Sequence, residues 1–179
     1  MLTTPEMLLW CQKIMKKLIL IAHNVRSAHN VGSLLRTSDG LGVDTVVLSG
    51  YTPYPKITDD SRLPHEVSKI HKQIKKTALG AEDTQIWEHH QQLQPTLSKL
   101  KRDGYVIYAL EQANGAIPLP SFKSPAKLAL IVGREVEGIE PEILTTCDGV
   151  IEIPMLGQKE SYNIVQAAAM ALYHSRFVG

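Results

Sequence analysis

Short apolar runs alternating with helical patterns predict an α/β fold: a mostly parallel sheet held between layers of helices. Residues 18–22, 45–48 and 128–132 are apolar at consecutive positions, which suits strands buried on both faces. Segments with helical spacing separate such runs, the clearest being Ile164, Ala167, Ala168, Ala171 and Leu172 near the end of the chain. Glycines and prolines fall at the joins.

Residues 1–14 read as an extension with a helical pattern, on a main domain over 15–179. Thr4-Pro5-Glu6 combines a capping hydroxyl, a first-turn proline and an acid. Met15-Lys16-Lys17 runs directly into the first strand, so residues 1–14 are expected to be dispensable. After strand 18–22, Asn30 is expected to cap a helix whose Val31, Leu34 and Leu35 share one face, with an exit at Gly40 and Gly42. Strand 45–48 follows. Residues 50–64, with Pro53, Pro55 and Pro64, form a loop ahead of a basic helix around 65–76. A helix over 94–102 leads to strand 105–110 and a loop marked by Pro118, Pro120 and Pro125. Strand 128–132, a short helix from Pro141, strand 150–153 and a helix over about 162–176 complete the pattern.

Composition excludes several classes. Of 179 residues, 44% are hydrophobic and 21% charged, enough for a core and unlike a disordered or collagen-like chain. Two cysteines, Cys11 and Cys147, make no disulfide framework and no CxxC zinc pair, so a reducing, cytoplasmic setting is expected. The five apolar residues 18–22 are far short of the roughly 20 that cross a bilayer, and His23-Asn24 follows where a signal peptide would continue. The net charge of +1 conceals an asymmetry: residues 1–102 hold 14 Lys and Arg against nine Asp and Glu, residues 103–179 five against nine. A basic half suits an acidic partner such as nucleic acid, although solvated faces can also differ without one.

Common nucleotide-binding signatures fail. Gly40-Leu41-Gly42 lacks the third glycine of a dinucleotide fingerprint and runs from helix to strand instead of strand to helix. Gly133 and Gly138 have phosphate-loop spacing, but Ile139-Glu140 replaces the Lys-Ser/Thr pair. No GxSxG elbow is present, and seven histidines show no metal spacing; His89-His90 reads as a surface pair.

Three clusters carry chemistry. The first is Asn24-x-Arg26-x3-Asn30-x5-Arg36-Thr37, where a mid-helix guanidinium is either ion-paired or aimed at a ligand, because it does not shed its charge. The second, Gly133-Arg134-Glu135-Val136-Glu137-Gly138-Ile139, follows a buried strand, the position where open α/β sheets bind ligands. The third joins Ile153-Pro154-Met155 to Ser161-Tyr162-Asn163 at the start of an alanine-rich helix, where Ser161 is either the cap or a site residue.

In order and spacing these clusters resemble the SpoU-type (TrmH-like) branch of the SPOUT superfamily, RNA ribose 2′-O-methyltransferases, over about residues 17–176. Asn30 with Arg36-Thr37 matches the first family motif, Gly133-x-Glu135-x-x-Gly138 the second, and Ile153-Pro154-Met155 with Ser161-x-Asn163 the third. The resemblance implies a SPOUT fold with a C-terminal deep trefoil knot, against ordinary topology rules. It implies S-adenosylmethionine in the knot, on Leu110, Glu111, Gly133, Arg134, Ile153, Pro154, Met155 and Tyr162. It also implies a homodimer packed partly through the last helix, although the small face of Ala167, Ala168 and Ala171 would equally suit a contact within one chain. No metal is implied. Two departures bear on pocket shape: Tyr162 stands where leucine or methionine is usual, and Val165-Gln166 where small residues are common.

The implied reaction moves a methyl group from a sulfonium to a ribose 2′-hydroxyl in tRNA or rRNA, a hydroxyl that marks RNA rather than DNA. Arg36 matches the family's catalytic arginine, and an electrostatic clamp on the alkoxide suits a guanidinium better than general-base work. Asn30, Glu135, Ser161 and Asn163 would position the ribose and shape the loop. The sequence shows no extra N-terminal RNA-binding domain of the kind many relatives carry, so RNA contact is expected from the basic half: Arg26, Lys69, Lys72, Lys75 and Lys76. The alternatives are a non-catalytic RNA-binding or ribosome-assembly module, and a base-methylating SPOUT enzyme.

Overall fold

The computed structural model describes residues 16–179, so the extension over 1–14 and its helix start lie outside the described residues. Its strands are β1 (Lys17–His23), β2 (Thr45–Ser49), β3 (Trp87–His90), β4 (Val106–Leu110), β5 (Ile117–Pro118), β6 (Lys127–Val132) and β7 (Gly149–Glu152). The helices are α1 (Ala28–Gly40), α2 (Pro64–Ala78), α3 (Ala81–Thr84), α4 (Gln94–Arg102), α5 (Pro141–Leu144) and α6 (Ile164–Tyr173), the last continuing as a π-helical turn over His174–Val178. The strands form one sheet in the order β3-β2-β1-β6-β4-β7-β5, with every neighbouring pair parallel.

Strand periodicity explains the continuous apolar runs. Side chains alternate across a sheet, so β1 sends Leu18, Leu20 and Ala22 to one face and Ile19 and Ile21 to the other. The first face packs on α1, α2 and α6 through Val31, Leu34, Leu35, Ile74, Ala168 and Leu172. The second packs on α4 and α5 through Leu97, Leu100 and Ile143. Both layers exclude water, as parallel sheets require. None of the helices among the described residues is long and apolar enough to cross a membrane.

The chain lays β1, β2 and β3 outward in one direction, crosses to β4 and β5 in the other half, and returns with β6 between β1 and β4. β1 and β6 are therefore adjacent at a topological switch, with register Leu18↔Leu128 to Ala22↔Val132. Ligand sites in such sheets open beyond the carboxyl ends of strands at this point.

Several expectations are corrected. Ser27, not Asn30, caps α1: its Oγ accepts from Asn30 N at 3.2 Å, which places Asn30 in the first turn with its side chain free for another partner. The last helix begins at Ile164 instead of 162, because Asn163 Oδ1 accepts from Val165 N at 2.9 Å. Ser161 is therefore not its cap. His89 and His90, read as a surface pair, belong to β3, an edge strand whose polar make-up hides it from an apolar-run criterion. Two residues of the proline-rich loop pair as β5 on the opposite edge, where proline is tolerated.

The α1–α2 crossing depends on one glycine. A Cβ on Gly32 would lie 2.2 Å from Ile74 O and 2.3 Å from Thr77 Oγ1, and Thr77 Oγ1 already donates to His29 O at 2.8 Å. At the other end of α1, buried Arg176 donates to the carbonyls of Leu41, Gly42 and Lys16, tying the C-terminal turn to the start of the sheet. Because the Gly32 obstacle is backbone, Gly32→Ala is expected to destabilise the fold by about 1–3 kcal/mol despite alanine's better helix propensity. Urea unfolding should show a lower midpoint; an unchanged or raised midpoint would refute this packing.

Candidate functional site

Three loops leaving the ends of β4, β6 and β7 enclose a cavity of about 500 Å³. Leu110, Glu111 and Gln112 form one side, residues 132–138 the floor, and Ile153 with 160–164 the far side, closed by Ala167 of α6.

The floor is a tight loop held by its own backbone. Arg134 N donates to Gly138 O at 3.3 Å and Gly138 N returns to Arg134 O at 3.2 Å. Gly138 has φ +70°, and a Cβ there would meet Glu111 Oε2 at 2.3 Å; one on Gly133 would meet Ile139 Cγ1 at 2.5 Å. The Glu111 carboxylate fastens this loop to β4, with Oε2 accepting from Ile139 N at 3.0 Å and Oε1 from Gln112 N at 2.9 Å.

Glu135 joins the loop to α1. Its Oε1 accepts from Asn30 Nδ2 at 3.0 Å and Ser27 N at 3.3 Å, and its Oε2 from Arg26 N at 3.2 Å. A carboxylate at a helix N-terminus satisfies orphan N–H groups and meets the positive end of the dipole. Burial pushes the Glu135 pKa up, but the bonds from Arg26 N, Asn30 and Ser27 N outweigh it and hold the group below its ordinary value. Arg26 adds a side-chain pair to Glu137 Oε1 at 2.7 Å. The arginine expected to meet RNA is thus engaged with the cleft loop.

A second bridge lies behind the floor. Asn24, at φ +56°, accepts from Tyr51 N through Oδ1 and donates through Nδ2 to Glu140 Oε1 at 2.8 Å and His23 Nε2 at 3.1 Å. His23 also contacts Ser49 Oγ at 2.8 Å. Burial lowers the His23 pKa more than Glu140 raises it, so the 3.5 Å approach of these two is a contact of neutral imidazole at pH 7 and not an ion pair.

The cleft gathers Glu135, Ser161, Asn163, Leu110, Glu111, Gly133, Arg134, Ile153 and Tyr162. Asn30 reaches it through Glu135. Pro154 and Met155 do not line it; they begin the loop that leaves the cavity after Ile153 and returns to it at Glu160. Arg36 also stands outside: it is exposed on α1, six residues and so about 9 Å of helix rise beyond Asn30. It makes no hydrogen bond or ion pair among the described residues, which excludes the structural-pair alternative within them.

Sequence reasoning missed Gln112, Val132, Glu160, Ile164 and Ala167 as lining residues. Gln112 carried one legible signal, its place two residues past a buried strand. The charged lining of the cleft is four carboxylates, Glu111, Glu135, Glu137 and Glu160, against the single guanidinium of Arg134. With apolar Leu110, Val132, Ile153 and Ile164 beside them, this lining fits a nucleoside-sized ligand bearing positive charge.

The basic helix α2 buries Val67, Ile74 and Ala78. Lys69, Lys72, Lys75 and Lys76 are all exposed; Lys69, Lys72 and Lys76 continue a line from His65 at spacings of four, three and four, with Lys75 to one side. Arg62 is already engaged, bonded to Asp60 and stacked 3.5 Å from the Tyr54 ring centre.

The model of the SpoU rRNA Methylase family matches residues 17–173. A 23S rRNA (guanosine-2′-O-)-methyltransferase RlmB from Bordetella pertussis is 31% identical over 159 residues, covering 88% of this chain but 58% of the relative. The chain thus spans less than two thirds of that relative's length. Among solved structures, the SpoU methyltransferase AviRb of Streptomyces viridochromogenes, crystallised with AdoMet, superposes with a TM-score of 0.75 at 19% identity, covering 90% of this chain and 57% of that one. The A. aeolicus TrmH/SpoU tRNA modifying enzyme gives 0.72 at 23% identity, covering 96% and 82%. At these identities the structures establish the shared fold.

Because its folded pKa is depressed, Glu135 stabilises the fold above the ordinary carboxyl value of 4.5, and that contribution is lost as pH falls through the lower folded value. Glu135→Gln is expected to cost about 1–2 kcal/mol at pH 7, with the gap to wild type closing below about pH 4.5. Urea titrations at pH 7 and pH 4 measure it; a gap that widened in acid would contradict the assigned bonds.

Proposed function

The chain belongs to the SpoU rRNA methylase family, and from that premise we propose that it methylates a ribose 2′-hydroxyl in tRNA or rRNA with S-adenosylmethionine, on a C-terminal segment knotted as in that family. The observation that carries this is the carboxylate-rich cleft at the ends of β4, β6 and β7, whose charge complements a sulfonium and an ammonium group. When bound, the cofactor supplies an electrophilic methyl group on a cationic sulfur.

The protein's own residues divide the work. Gly133 and Gly138 keep the floor open to close approach, and Leu110, Ile153, Ile164 and Tyr162 provide the apolar wall for a nucleoside. Glu135 and Asn30 bond each other and the start of α1, so their part is to hold the loop and not to accept a proton. Asn163 holds the start of α6. Ser161 makes no hydrogen bond among the described residues and offers its hydroxyl to the substrate ribose.

Arg36 is the stabilising cation for the oxygen that loses its proton. It stands outside the cleft of its own chain, so it acts on the cleft of a second copy in a homodimer. Exposed Lys69, Lys72 and Lys76 contact RNA phosphates, placing the strand without reading its sequence. The setting is cytoplasmic, where such RNA is found.

Arg36→Ala is expected to lower methyl transfer to total RNA by about 100-fold or more while S-adenosylmethionine still binds, and Arg36→Lys to recover only part. Near-normal transfer by the alanine variant would refute the assignment. No transfer by the wild type would favour a non-catalytic RNA-binding module, and a methyl group mapped to a base would favour a base-modifying enzyme.

Neutralising Lys69, Lys72 and Lys76 together to Gln is expected to weaken RNA binding. The slope of log affinity against log salt should fall by about two to three. An unchanged slope would place the RNA elsewhere.

A further inference from the structure

The two sides of the cleft are held very differently. On the floor, Glu135 accepts three hydrogen bonds from the start of α1, Glu111 accepts from Ile139 N, and Arg134 and Gly138 exchange backbone bonds. The opposite side takes Glu160, Ser161 and Tyr162 from the segment 154–162, which runs between β7 and α6. Every residue of it except Met155 is exposed, Leu156 almost completely at 99%. Among the described residues, one hydrogen bond ties this segment to the remainder of the protein: Gln112 Nε2 donates to Glu160 O at 2.5 Å, across the cavity mouth.

We infer that Gln112 is a positioning residue that latches segment 154–162 over the cofactor, so that breaking its bond to Glu160 opens the path by which cofactor enters and product leaves. The inference rests on the reading of the cleft as the S-adenosylmethionine site. Its physical basis is independent of that reading. A wall with a single polar tether opens at a cost near that of one exposed hydrogen bond, whereas the floor opens only when several are broken together. Glu160, Ser161 and Tyr162 line the cavity from this segment, so releasing it removes one side of the site without disturbing the sheet. Gln112 itself is exposed in the loop after β4 and contributes nothing to the core, so its replacement alters the latch and not the fold.

Lys159 provides a ligand-free measure, since it is the one tryptic site within 154–162 and is exposed. In wild type, Gln112→Ala, Gln112→Glu and Gln112→His, the initial rate of trypsin cleavage at Lys159 is followed without ligand. Dissociation of S-adenosylhomocysteine is followed separately by stopped-flow displacement with S-adenosylmethionine. Alanine and glutamate, which lack the donor, are expected to raise both rates about five-fold to ten-fold, and histidine, which keeps an N–H donor, to restore most of the difference. Unchanged cleavage at Lys159 overturns the latch. Faster cleavage with unchanged dissociation overturns its link to cofactor exchange. Failure of the wild type to bind either nucleoside overturns the cleft assignment and that link, while the cleavage ratios still decide whether Gln112 holds the segment.

Discussion

The site depends on where the Glu135 carboxylate sits. It lies on the loop after β6, yet its oxygens accept from Arg26 N, Ser27 N and Asn30 Nδ2 at the entrance to α1. One side chain therefore fixes the cleft floor relative to the first helix, across the topological switch between β1 and β6. The arrangement is stable because each party needs the other. The helix start has unpaired N–H groups, and a half-buried carboxylate needs donors to stay ionised.

The remaining supports reinforce that frame. Glu111 binds the far end of the loop to β4, and Asn24 with Glu140 ties its exit to the ends of β1 and β2. Gly32 holds α2 close against α1, so the lysine line on α2 has a fixed relation to the helix that bears Arg36. Four carboxylates against one guanidinium then give the cleft a sign that suits a cationic ligand, while the exposed face of α2 has the opposite sign and suits polyanionic RNA. The two surfaces of this small domain thus carry opposite charge.

Much of this was legible from residue order. Strands 18–22 and 128–132 are apolar on both faces, and the structure places them side by side at the sheet centre. Helix 94–102 matches α4 within its bounds. The second and third motif clusters meet at one cavity, Ile139, Pro154 and Met155 excepted, whereas of the first cluster Asn30 reaches it only through Glu135 and Arg36 stands apart. Edge elements were not legible: Trp87–His90 forms a strand because β2 offers it unpaired backbone groups, and nothing in Trp-Glu-His-His announces that neighbour.

What the sequence by itself determined is what local sterics and burial dictate: the alternation of strands and helices, the double-sided core, the motif spacing and the charge asymmetry. Tertiary structure alone decided which side chains were left for chemistry. Asn30 and Ser161 both sit where a helix cap is chemically reasonable, and only the backbone geometry at Ser27 and Asn163 shows that other residues do that work. The partner of Asn30 is Glu135, 105 residues away, and the tether of 154–162 among the described residues is Gln112, 48 residues before Glu160. Hydrogen bonds over such separations are set by how the sheet orders its strands, and strand order is a property of the whole fold that no local window of residues contains.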